Sequence, residues 1–112
     1  MKRIIPLFVL ISFAVPVEPA RAQSSWEDLV VFFREWREFE RPEFVGGVPD
    51  YTPEAMAAQQ RALREWKERL WAFDIADWPV EQQIDWHLVR AEMNGLDFDH
   101  KIRRPWARDP AF

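Results

Sequence analysis

At 112 residues, with 15 Lys and Arg against 19 Asp and Glu, the chain is mildly acidic and long enough to bury one modest core. That balance argues against a general affinity for phosphate backbones or anionic membrane surfaces. The absence of cysteine removes disulfides, a lipid-modified leader and thiol chemistry from consideration.

The N-terminus opens on Lys2 and Arg3, runs apolar from Ile4 to Val17, and reaches the small-residue site Ala20-Arg21-Ala22. This order is that of a secretory signal peptide over residues 1–22, cleaved near Ala22 and sending the product to the periplasm or the exterior. The run is broken by Pro6 and Pro16 and falls short of the roughly 20 residues that span a bilayer, so no stable membrane span is expected. Cleavage leaves residues 23–112, with 12 basic against 18 acidic groups and a net charge of −6 once Lys2, Arg3, Arg21 and Glu18 are gone. All seven Trp and most of the Phe lie in this part, an aromatic load that calls for further surface to pack against.

From Ser24 the pattern is helical. Ser24 or Ser25 is suited to the N-cap, with Glu27 or Asp28 completing a capping box. Trp26, Leu29, Val30, Phe33 and Trp36 then form one stripe of a helix over about 25–41, which Pro42 closes. Residues 42–51, PEFVGGVPDY, read as a flexible turn; the pair Gly46-Gly47 lacks the preceding strand of a phosphate loop. Thr52 as N-cap and Pro53 at the first position start a second helix over 53–73, with Met56, Leu63, Trp66, Leu70 and Phe73 on one face. Trp71 falls off that face.

A third helix is expected over 79–103. Val80, Ile84, Leu88, Ala91, Gly95, Phe98 and Ile102 advance by threes and fours, while Trp86, Val89, Met93 and Leu96 mark another side. Apolar on two sides, it is expected to lie buried between neighbours. Gly95 costs roughly 1 kcal/mol against alanine in mid-helix and implies a close helix approach or a bend. No alternating strand pattern or repeat is present, and the fold class is all-α.

Residues with chemistry are few. His87 and His100 are thirteen apart and outside any His-Glu-x-x-His arrangement; Asp97 and His100, three apart, read as a helical carboxylate–imidazole contact. The serines left after cleavage are Ser24 and Ser25, with no nucleophile elbow, and nothing lifts Glu81, Asp85 or Glu92 above a solvated or salt-bridged role. Lys101, Arg103, Arg104 and Arg108 around Trp106 read as cations at the negative end of the third helix, not as a nucleic-acid patch. The first helix has too many acidic groups on its polar side to lie on anionic lipid. No catalytic, cofactor-binding or metal-binding residue is assigned.

The run from Ile84-Asp85-Trp86 through Leu88-Val89-Arg90-Ala91-Glu92 to Arg104-Pro105-Trp106, entered by Trp78-Pro79-Val80-Glu81, resembles the N-terminal region of a secreted bacterial family. It is domain-of-unknown-function family eight-eight-five, large helical proteins similar to zinc carboxypeptidases of the thermostable type. The resemblance implies an exported helical segment, part of the outer wall or lid of a larger peptidase-like cavity. The family's zinc site lies far downstream, so zinc is expected only in full-length relatives and this chain alone is expected to be inactive. The chain then reads as a fragment whose partner is the remainder of that fold. The alternative is a self-contained periplasmic helical interaction protein that hides its aromatics by self-association.

Overall fold

The computed structural model describes residues 25–109; the expected leader over residues 1–22, and the residues from Pro110 onward, lie outside them. Three long helices dominate: α1 (Trp26–Glu40), α2 (Pro53–Trp71) and α3 (Val80–Phe98). A π-helical turn, Asp99–Arg103, extends α3, and one short turn, α4 (Pro105–Arg108), follows. The fold is mostly α; α1 and α2 lie within two residues of the spans read from the sequence, while the third helix, expected over 79–103, is α only to Phe98 and π-helical from Asp99. Among the described residues no helix is long and apolar enough to cross a membrane.

The starts are set by local chemistry. Ser25 Oγ accepts from the Asp28 amide at 3.1 Å, and the Asp28 carboxylate reaches back to the Ser25 amide, closing the capping box. Thr52 Oγ1 accepts from the Ala55 amide at 3.3 Å with Pro53 at the first position, and Asp50 Oδ1 takes the Thr52 amide at 3.0 Å. The Asp50 carboxyl is held below its ordinary range by that backbone bond.

The stretch expected to be a flexible turn is ordered into a hairpin. Strands β1 (Phe44–Val45) and β2 (Val48–Pro49) pair antiparallel, with Val45 opposite Val48. Gly46 and Gly47 have φ of 60° and 82°, the left-handed pair that a two-residue hairpin loop demands. Each strand is only two residues long, too short to show an alternation in the sequence.

The core is aromatic. Leu29, Phe32 and Trp36 of α1, Leu63 and Leu70 of α2, Phe73 just beyond it, and Trp86, Val89 and Met93 of α3 form one buried cluster. Phe32 meets Trp66 and Phe73 edge-on at 5.3 and 5.7 Å, geometry that suits the ring quadrupoles. Trp86 Nε1 donates to the Leu70 carbonyl at 3.1 Å, sharing it with the Phe73 amide, which donates at 3.2 Å. Trp26 Nε1 donates to Asp85 at 2.8 Å and joins α1 to α3. Arg69 lies over the Trp66 ring at 4.3 Å and pairs with Glu35 of α1 at 2.6 Å.

The expectation that α3 lies buried between neighbours is corrected. Its Trp86, Val89 and Met93 side is buried, but Val80, Ile84, Leu88 and Phe98 face outward, as does Ile102 of the π-turn. Two helices suffice to cover one side of a third. Covering the opposite side needs a further body.

Truncation of the inward side should therefore be costly. Met93→Ala is expected to destabilise the chain by about 2–5 kcal/mol. Trp86→Phe, which removes the indole donor while the Phe73 amide still holds the Leu70 carbonyl, should cost about 0.5–1.5 kcal/mol for the lost bond. Urea denaturation followed by far-UV circular dichroism checks both.

Candidate functional site: the outer face of α3 and the His100 turn

Residues 84, 88, 91, 95, 98 and 102 alternate steps of four and three, which on a helix converge on one line. Leu88 is 60% exposed and Phe98 50%, and a Cβ built on Gly95 would meet nothing within 4 Å. The close helix approach that Gly95 suggested is thus absent among the described residues; its small size leaves a waist in an open apolar strip. Beside the strip, half-buried Trp26, Val30 and Phe33 of α1 line a groove of about 490 Å³ against Leu88, Val89 and Ala91. Asp85 and Glu92 stand on its α3 side and Arg34 on its α1 side. This lining holds no serine, threonine, cysteine, lysine or histidine. The site offers apolar contact bordered by charge, which suits a helix better than a reacting substrate.

At the end of α1, burial pushes the Glu40 carboxyl up, against the pull of its ion-pair partner Arg37, and Glu92 of α3 pushes the same way. Trp71, which fell off the α2 stripe, is 62% exposed yet meets Trp86 edge-on at 5.1 Å, with Arg90 6.0 Å from its ring. It covers the seam between α2 and α3.

The second feature is the π-helical turn. It carries His100 inward to 6% exposure, where Nε2 lies 2.8 Å from Gln59 Oε1 and the ring meets Trp106 at 4.7 Å, tilted by 53°. Arg104 follows in the left-handed region at φ 44°, and Pro105 starts α4. The expected Asp97–His100 contact is replaced. Asp97 takes Lys67 of α2 and Lys101, both at 2.8 Å, and His100 turns to Gln59. Burial works against ionisation of Asp97, but bonds from Lys101 and Lys67 outweigh it and hold its carboxyl low. Arg103 pairs with Asp99 at 3.2 Å, so two cations of the basic cluster are satisfied by carboxylates of their own turn. His87 lies exposed on α3, away from His100. Among the described residues no three His, Cys, Asp or Glu side chains gather into a set that could hold a metal.

Burial holds the His100 imidazole below its ordinary value of 6.5, while Asp97 and Asp99 pull the other way. The folded chain therefore keeps this ring neutral after the unfolded chain has begun to take up its proton. Stability from this group is complete well above its ordinary value of 6.5 and is lost as pH falls below it. Glu40 acts with the opposite sign, nearer its ordinary value of 4.5. The thermal midpoint should fall as pH is lowered through and below 6.5, and His100→Gln should flatten that slope in calorimetry at matched ionic strength.

Comparison with family models, with curated proteins and with solved structures gave no match to this chain.

Proposed function

We propose that the chain is an exported helix-docking module, which contributes an apolar helix face to a larger assembly and performs no chemistry alone. The observation that carries this reading is the outer strip of α3, where Ile84, Leu88 and Phe98 stand in solvent on a helix whose other side is fully engaged. Large apolar side chains aligned along one helix and bordered by charge are the usual mark of a surface that another body covers. Export rests on the Lys2–Ala22 leader pattern.

In the form that the family resemblance implies, the covering body is the remainder of a peptidase-like hydrolase, and any zinc belongs to that remainder. The second form is a self-contained interaction protein. A specific feature favours it: the strip keeps a heptad register over α3, with acidic residues along one edge and none along the other.

Hydroxyl-radical footprinting of the full chain under native conditions tests the docking reading. After correction for intrinsic reactivity, Leu88 and Phe98 should be under-labelled relative to the similarly exposed Val45 and Val48 of the hairpin. Labelling of all four at comparable rates would sink the reading. The chain alone should bind no stoichiometric zinc and hydrolyse no peptide; tight zinc binding with peptide hydrolysis would assign it a chemistry that this reading denies.

A further inference from the structure

The docking reading leaves the covering body unnamed, and the edges of the strip identify one. In heptad terms Ile84, Ala91 and Phe98 occupy d positions, while Leu88, Gly95 and Ile102 occupy a positions. The α-helical part of the seam, from Ile84 to Phe98, spans two heptads, and Ile102 lies in the π-helical turn that follows. Its flanks differ in charge. The e positions are Asp85, Glu92 and Asp99, all acidic; the g positions are Val80, His87, Asn94 and Lys101, with no acid among them.

We infer that a second copy of this chain covers the strip, as a parallel, two-fold symmetric pair of α3 helices. This inference rests on the docking reading above. In a parallel pair each g residue faces the e residue five positions on in the other helix. His87 then meets the partner's Glu92, Asn94 meets the partner's Asp99, and both contacts occur twice. In an antiparallel pair e faces e. Glu92 would meet the partner's Glu92, and Asp85 the partner's Asp99, along a single acidic edge. Asp99 has Arg103 at 3.2 Å and Asp85 has the Trp26 indole at 2.8 Å, but Glu92 has no ion pair among the described residues. Like charges in direct register select against an arrangement, so the parallel register is the one these flanks favour.

The middle of the seam agrees. In a parallel pair Ala91 and Gly95 each face their own counterparts, and the open space over Gly95 lets the two axes approach at the waist. Ile84, Leu88 and Phe98 then form matched layers above and below it. The groove between α1 and α3 opens on the acidic edge of α3, so the partner's His87 and Asn94 edge closes its mouth.

The chain has no cysteine, so single introduced thiols report the register directly. Sedimentation equilibrium of the full chain should show a monomer–dimer equilibrium, and Leu88→Asp should weaken it by about tenfold or more. Ile84→Cys should form a disulfide-linked dimer on mild oxidation. In an antiparallel pair Ile84 faces Phe98 or Ile102, and the two introduced thiols lie about 20 Å or more apart. A dimer in which Ile84→Cys fails to link to itself but links to an added Phe98→Cys chain would overturn the parallel register. A chain that stays monomeric over a hundredfold range of concentration would overturn the self-pairing. If Leu88 and Phe98 are nonetheless protected from radicals, the docking reading survives with another occupant; if they are not, both fall.

Discussion

The indole of Trp86 donates its single N–H to the Leu70 carbonyl, and that bond fixes which side of α3 points inward. A helix apolar on two opposed sides has two ways to lie against a pair of neighbours. Only the side bearing Trp86 supplies a side-chain donor for the Leu70 carbonyl at the end of α2, where it joins the Phe73 amide. With Trp86 seated, Val89 and Met93 follow into the core, one and two turns on, and Trp26 of α1 finds Asp85. The opposite side is then committed to the exterior. The outer strip is thus a consequence of how the core closes.

One atom of that core is discordant. Trp36 has 0% exposure and its Nε1 has no hydrogen-bond partner among the described residues. A buried donor without an acceptor costs about 1–3 kcal/mol. It is surrounded by rings, with Trp66 5.9 Å away edge-on and Phe39 at 5.4 Å. Burial of a ring of that size offsets the loss, since a large aromatic side chain withdraws 150–250 Å² or so from water. The Trp36 region of the core is therefore held by shape and area; directional bonds act elsewhere, Trp86 to Leu70 in the core and Trp26 to Asp85 and Gln59 to the Glu40 carbonyl at its part-buried margins.

Much of this was legible before any coordinates. Ser25 with Asp28, and Thr52 with Pro53, announce two helix starts through side chains that act on their own neighbours. What escaped the sequence depends on partners distant along the chain. The spacing of Asp97 and His100 suggests a local pair, yet Lys67 and Gln59 of α2 compete for both and win. The two apolar sides of α3 are plain from periodicity, but periodicity does not say which has neighbours. The hairpin at Gly46-Gly47 had a signal in the glycine pair itself, although its strands were too brief to support it. The candidate site was likewise visible as a list of residues and was assigned to the wrong environment.

The edge-on arrangement of Trp71 and Trp86 has an optical consequence. Two indoles at 5.1 Å and 72° couple their strongest electronic transitions, which gives paired bands of opposite sign in the far-ultraviolet. One ring belongs to the last turn of α2 and the other to α3, so the couplet exists only while that corner of the bundle is closed. The chain thus contains its own chromophore for the junction, and a strong couplet would superimpose on the helical signal by which its helix content is judged.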